Sequence, residues 1–367
     1  MEISKVRIAE CALPLPHILR LGPVEIRTRD YVVARFETRD GRCGEAIGYS
    51  RGTPLFETVS GMARRILGKN PALRRQIVYD LEQSNVPARA GLTRGLSMID
   101  LALWDIACKQ ARLPLVEFLG GLRPGAEVTV VAGYYVDQRS IADVVDEVGR
   151  AEDAGFARAK IMLKGNDAAF DRTYAQAVTR RLPGRIAADA HWTWSTLSEA
   201  KRTCLDLDDL GLCFLEDPFA ASDVRLTHEL ARQLVTPLAA GEDVYGSGVI
   251  ADIVAGIDVL RVDVTTVGGI TGAIEAIHIA SAAGRTVFPH VFSPIHVHLA
   301  CAFPNVESVE LIPEESGADP LERMLHNLPR IQHGKMIPHP EPGIGVFLDW
   351  DAVEKLARRH TVIEPEK

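Results

Sequence analysis

The stretch RAKIMLKGNDAAFDRTYAQAVTRRLPGRIAADA, residues 158–190, carries the information that decides the fold. It opens with an apolar run, RAKIML (158–163), passes through an amphipathic helical stretch, and closes with a second run, RIAADA (185–190). Two strands joined by a helix read as a right-handed βαβ unit of a parallel sheet. In the first run Lys160, Met162 and Lys164 recur at period two and share one face. Lysines on one face of a buried strand are costly unless something uses their charge.

The same unit repeats through the rest of the chain. Further apolar runs are VTVVAG (128–133), LCFLED (212–217), PLAAGE (237–242), DVLRVD (258–263), TVFPH (286–290) and SVELI (308–312). With the first two they make eight strands alternating with helices, the pattern of an α/β fold built as a modified (β/α)8 TIM barrel. Upstream, KVRIAECAL and YVVARFET read as strands and RDGRCGEA as a turn. Helical spacing runs from about Pro54 to Leu119, clearest in GLSMIDLALWDIACKQARLP, until LGGLRPGAE breaks it. Residues 1–126 are therefore expected to form an α+β capping domain and 127–313 the barrel. Residues 314–367 would return to the capping domain, with PHPEPGIGVFLDWD as the returning strand.

Composition narrows the function. The 367 residues carry a net charge of −8 without a long block of like charge, so the footprint of a nucleic-acid binder is missing. The opening MEISKVRIAECALPL does not read as a signal peptide. No apolar run reaches the roughly 18 residues of a membrane span. Six scattered cysteines without CxxC spacing read as reduced thiols of a cytoplasmic protein.

The polar residue closing each strand from the second onward carries the chemistry. These are Lys160 (with Lys164 beyond it), Asp189, Glu216, Glu242, Asp263, His290 and Glu310, at gaps of 29, 27, 26, 21, 27 and 20 residues. One βα unit separates each pair, so all of them ring the C-terminal mouth of the barrel. Asp189, Glu216 and Glu242 fall on adjacent strands at one height, and three close carboxylates need a cation. All-oxygen ligation suits Mg²⁺; the alternative is a salt-bridge network with arginines. Asp263 and His290 close neighbouring strands, where the carboxylate fixes the tautomer of the histidine and raises its basicity. Lys160 lies across the mouth, where a nearby cation would depress its pKa and make it a base.

At this point the chain resembles the enolase superfamily, in its mandelate racemase-like branch, over nearly its whole length. MIDLALWDIACKQARLPLVEFLGG is similar to the signature of the capping domain, FLEDPF, AAGED and TTVGGITGA to barrel motifs, and PEPGIGVFLDWD to the C-terminal return segment. Carried over by position, the resemblance makes Asp189, Glu216 and Glu242 the Mg²⁺ ligands and His290–Asp263 the general acid/base dyad. It makes Glu310 a residue that helps hold the enolic intermediate. The muconate-lactonizing branch has a lysine five residues before the Gly-Gly; here Asp263 stands at that position before Gly268–Gly269, which favours the other branch. Members of the family often carry Lys-x-Lys on the second strand; counted from Gly155–Phe156 the second lysine falls on Met162, whereas counted back from Asp189 the pair reads Arg158-x-Lys160. His191, two residues after Asp189, resembles the Asp-x-His of several sugar-acid dehydratases, and Lys164 is the other candidate for the missing base.

The resemblance implies a Mg²⁺-dependent dehydratase of an acid sugar, with His290 expelling the 3-hydroxyl and Lys160, Lys164 or His191 handling the α-proton. The alternatives are a racemase or epimerase of a 2-hydroxy acid and, from a different class, a non-catalytic ligand-binding barrel. The small carboxylate would meet specificity loops around LPHILRLGP (15–23) and YSRGTP (49–54), through His17, Arg20 and Arg51; Arg89 and Arg94 are comparable but set aside. His296 and His298, in a helical segment, are expected to be structural. The family further implies a homo-oligomer built from symmetric dimers.

Overall fold

Alternating burial carries the N-terminal segment into long antiparallel strands: β1 (Ile3–Leu21), β2 (Val24–Thr38) and β3 (Cys43–Tyr49). In this computed structural model, which describes residues 2–84, 86 and 91–365, they form one sheet in which the last strand of the chain, Ala357–Ile363, lies outside β1. β1 and β2 run well past the strands read from the sequence, and their far ends form a hairpin turning at Gly22 and Pro23. The turn presses on the barrel: a Cβ at Gly22, where φ is +52°, would lie 1.9 Å from the carbonyl oxygen of His191. The hairpin thereby roofs the mouth of the barrel.

Helices α1 (Leu55–Ile66), α2 (Arg74–Gln83), α3 (Thr93–Ala111) and α4 (Leu115–Phe118) follow. α3 is buried on most of its surface because it packs against both β3 and the barrel. Its two acids act as fasteners. Asp100 accepts from the Thr271 backbone N–H (2.9 Å) and hydroxyl (2.6 Å), and a Cβ at Gly269 would lie 2.3 Å from it. Asp105, fully buried, accepts from the backbone of Glu45 (2.8 Å) and Ile344 (3.0 Å) and from Lys109 (2.6 Å). Asp105→Ala would strand these donors, and a loss of about 2–4 kcal/mol is expected, read from the urea midpoint at unchanged m-value.

The eight parallel strands follow: β4 (Ala126–Ala132), β5 (Arg158–Met162), β6 (Ile186–Asp189), β7 (Phe214–Glu216), β8 (Leu238–Ala240), β9 (Val259–Leu260), β10 (Thr286–Val287) and β11 (Ser308–Leu311). Neighbours pair in sequence order from β4 to β10, and β11 pairs with β4. Backbone bonds from Val287 N to Asn305 O (2.8 Å) and Glu307 N to Val287 O (3.1 Å) close the ring. Helices α5 (Ile141–Asp153), α6 (Ala168–Arg181), α7 (Leu197–Leu207), α8 (Val224–Ala231), α9 (Ser247–Val254), α10 (Gly269–Ala282) and α11 (Ser293–Ala302) cover it. The barrel expected from the strand spacing is therefore present, beneath its α+β cap.

The C-terminal path corrects one expectation. A hairpin of β12 (Arg330–Gln332) and β13 (Lys335–Ile337) first adds to the N-terminal end of β4, pairing Lys335 with Glu127. Residues 338–349 hold no strand; their prolines and glycines let the chain run past α3, where Ile344 meets Asp105. The returning strand comes after α12 (Trp350–Leu356) as β14 (Ala357–Ile363), paired antiparallel with β1. All six cysteines are free thiols, and among the described residues no helix is long and apolar enough to cross a membrane.

Candidate active site

The C-terminal ends of the barrel strands and the underside of the cap enclose one cavity of about 730 Å³, lined among others by Lys160, Asp189, His191, Glu242, His290, Glu310 and Arg51. Several non-glycine residues at its rim hold left-handed backbone: Arg51, His191, Trp192, Asp217, Val291 and Phe292, with φ between 40° and 55°. Such conformations cost about 1–3 kcal/mol each and persist where the surroundings force a side chain into place.

Each polar strand-end residue is buried. Lys160 reaches Asp189 Oδ2 (3.0 Å), Glu216 Oε2 (3.0 Å) and Glu310 Oε2 (2.8 Å) at once. Burial pushes its pKa down, but the three carboxylates outweigh this and hold it well above the usual lysine range. Without a bound cation Lys160 therefore stands as a positive charge; the depression expected of it belongs to the metal-loaded site. Arg261, which escaped notice in the sequence, is fully buried beneath the same carboxylates. It donates from Nε to Glu216 Oε1 (2.7 Å) and from Nη2 to Glu310, and from Nη1 to Phe288 O (2.8 Å). Burial raises the Glu310 carboxyl, yet Lys160 and Arg261 together keep it below its ordinary value. It stays an ionised counter-ion.

Opposite them, His290 Nδ1 lies 2.9 Å from Asp263 Oδ2. The Asp263 carboxylate is held in turn by the Thr265 backbone N–H (2.7 Å) and hydroxyl (2.8 Å). Arg51 Nη2 is 3.2 Å from His290 Nε2. A guanidinium can only donate, so Nε2 carries the lone pair and Nδ1–H points at Asp263. Burial and the nearby Arg51 and Arg261 push His290 well below the ordinary histidine range, in keeping with a neutral ring. Arg51 also reaches Glu242 (2.9 Å) and Asp243 (3.2 Å), and Arg94 reaches Asp243 (2.6 Å). Arg51 is thus central rather than peripheral, and Arg94 belongs to the site; Arg89 lies outside the described residues.

Asp189 and Glu216 stand in register on β6 and β7, whereas Glu242 lies two residues past the end of β8, so the three do not share one strand level. The acidic oxygens that converge are those of Glu216, Asp217 and Glu242, within 4.8 Å of one another. Asp217, missed in the sequence although FLEDPF was singled out, turns inward because its φ is +44°. Glu216 Oε2 and Asp217 Oδ1 are buried without a hydrogen-bond partner among the described residues; the Lys160 ammonium lies 3.0 Å from the former without hydrogen-bond alignment. Asp189 is engaged instead by Lys160 and by the His191 backbone N–H (3.0 Å). Orphaned carboxylate oxygens in an all-oxygen set fit a hard divalent cation such as Mg²⁺.

Burial lifts Glu216 to about 7, against the pull of Arg261, and Glu242 to about 8, against that of Arg51. Both folded values exceed the 4.5 reference, so the metal-free fold binds more protons than the unfolded chain between about pH 4.5 and 8. Stability from this pair is present at low pH and lost as pH rises through 7 to 8. Mg²⁺ is expected to raise the melting temperature more at pH 8 than at pH 6, because at pH 8 it displaces fewer protons from this pair. A Mg²⁺ shift that is larger at pH 6 would contradict this.

His191 lines the cavity with Nε2 3.4 Å from Asp189 Oδ2 and, among the described residues, a buried Nδ1 without a hydrogen-bond partner; burial lowers its pKa to about 4. Lys164 is not brought into the site: it lies against the Phe170 ring and 3.6 Å from Asp137. His17 and Arg20 line a separate surface groove, His17 against Tyr135 and Arg20 paired with Glu25 (3.0 Å). His296 Nδ1 meets Val291 O (2.6 Å) and its Nε2 accepts from Val264 N (3.2 Å), while His298 accepts from Val116 N (3.2 Å), so both hold the fold together.

A capped (β/α)8 barrel with an acidic cluster, a buried lysine and an Asp–His dyad facing one cavity defines the class of metal-assisted enzymes that abstract a proton beside a carboxylate. Residues 143–352 match the enolase C-terminal domain-like family, and residues 3–120 the N-terminal domain of the mandelate racemase/muconate lactonizing enzymes. The chain belongs to this family. It is 27% identical over 284 residues to the L-talarate/galactarate dehydratase of Salmonella typhimurium, covering 74% of this chain and 70% of that one. It is 26% identical to the arabinonate dehydratase of Saccharolobus solfataricus, with 88% of each covered. Its fold superposes on the L-talarate dehydratase of Polaromonas sp. JS666, complexed with Mg and L-glucarate, at a TM-score of 0.86 and 26% identity, over 100% of this chain and 99% of that one.

Proposed function

We propose that the protein is a Mg²⁺-dependent dehydratase converting an acid sugar to a 2-keto-3-deoxy acid. The observation that carries the reading is the His290–Asp263 pair, its Nε2 lone pair turned into the same cavity as Lys160 and the converging carboxylates. Glu216 and Glu242 would hold the metal, flanked by Asp217 and Asp189. Bound there, the ion supplies positive charge to the substrate carboxylate as it gains electron density.

The chain's own residues do the rest. His290 starts neutral, so its first act is that of a base: Nε2 takes the α-proton, and Asp263 stabilises the imidazolium that results. The proton then goes to the 3-hydroxyl as it leaves, so base and acid are the same ring. Lys160, in reach of Asp189, Glu216 and Glu310, positions charge next to the substrate carboxylate. His191, neutral and lining the cavity beside Asp189, is the candidate on the other face. If it exchanges the α-proton as well, racemisation competes; deuterium entering Cα without water loss is the signature of that alternative. The free thiols suit a reducing cytoplasm, and the assembly expected of the family is a symmetric homo-oligomer. Screening aldonates and aldarates with Mg²⁺ for semicarbazide-reactive keto acid tests the reading; no keto acid from any of them would reject it.

A further inference from the structure

Arg29, on β2, is the buried arginine of the cavity wall that the site does not use; its neighbour Arg27 is exposed and lies 3.6 Å from Glu25. Arg29 is only 7% exposed. Its Nε donates to Ala318 O (2.8 Å), and its guanidinium lies over the Tyr49 ring at 5.5 Å. No carboxylate lies within 4.0 Å of it among the described residues, and neither terminal nitrogen has a hydrogen-bond partner there. Those nitrogens are not sealed in protein, unlike Arg94 Nη1; they open into the cavity that Arg29 shares with His290 and Lys160. Asp319, an acid whose charge acts on it, already accepts from the Tyr31 and Tyr49 hydroxyls. Arg51 and Arg94, by contrast, are committed to Glu242 and Asp243.

A guanidinium held rigid and desolvated with two donors free is prepared for a planar anion. We propose that Arg29 receives a second carboxylate at the far end of the substrate. The preferred class is then the dicarboxylic aldarates over the monocarboxylic aldonates. The assignment rests on the reading of the mouth as the place where the first carboxylate binds. An aldonate would offer Arg29 only a neutral hydroxymethyl group. A buried charge left without its anion discriminates strongly against such an analogue.

The test is calorimetric binding to the Mg²⁺-saturated enzyme of galactarate, glucarate and xylarate against galactonate, gluconate and xylonate, with keto-acid formation followed separately. Wild type is expected to bind at least one aldarate about tenfold or more tightly than every aldonate. Arg29→Met should weaken the aldarate about tenfold or more and the aldonates less than about threefold, and Arg29→Lys should recover part of the gap. Equal binding of both classes by wild type, or equal weakening of both by Arg29→Met, overturns the proposal. If Arg29→Met does not fold, the wild-type comparison alone decides. An aldarate preference lost in Arg29→Met without keto acid from any compound would uphold Arg29 and reject dehydration.

Discussion

His290→Asn is expected to lower kcat on the acid-sugar substrate by about 10²–10⁴-fold, the range over which a positioned general acid–base acts. The replacement keeps a polar group of similar reach to Asp263 but removes the lone pair that Arg51 and the geometry leave at Nε2. Steady-state kinetics and loss of α-proton exchange into deuterated water would report it together. Asp263→Asn should lower kcat as well, because an amide facing Nδ1 can present a donor and turn the ring to the wrong tautomer. If His290→Asn retained more than about a tenth of wild-type kcat, the proton would be passing through another residue, with His191 the first to examine.

The second large effect is expected at Lys160. Lys160→Met preserves the length and packing of the side chain while withdrawing the charge that Asp189, Glu216 and Glu310 share. Removing one partner of a buried ionic cluster costs about 3–5 kcal/mol, because the remaining carboxylates stay desolvated and repel one another. The metal-free variant should therefore unfold at clearly lower denaturant than wild type. Turnover should fall by about 10²–10³-fold through loss of a fixed charge beside the developing enolate. Lys160→Arg should not rescue it, since the planar fork cannot meet three oxygens within 3.0 Å from the position of one ammonium. Wild-type stability in the metal-free Met variant would mean that the cluster does not rely on Lys160.

Much of this site is legible in the sequence because a barrel turns regular spacing into proximity. Residues that close successive strands meet at one mouth whatever the helices between them contain. Asp263 and His290 are 27 residues apart and in contact for that reason. Period-two reasoning fails where the strand ends. Lys164 shares its phase with Lys160 only on paper: β5 stops at Met162, and Gly165, at φ +73°, turns the chain so that Lys164 meets Phe170. Arg261 lies inside the run DVLRVD (258–263), where a charged residue between apolar ones is the signal that points to it. His17 lies inside a register shift between Pro14 and Leu19 and Arg20 just past it, which breaks any face assigned by counting. Arg29 and Ala318 are 289 residues apart; that contact exists only because the C-terminal chain crosses the cap, and no local pattern announces it.

One cavity is expected to use His290 both to remove the α-proton of an acid sugar and to release the 3-hydroxyl. Proton NMR of Mg²⁺-loaded enzyme with the aldarate and aldonate panel in deuterated water tests it most directly. The predicted result is loss of the Cα proton signal together with growth of a 2-keto-3-deoxy acid carrying solvent deuterium at C3, abolished by EDTA and by His290→Asn. Unchanged spectra for every compound, with neither exchange at Cα nor keto acid, would contradict the account.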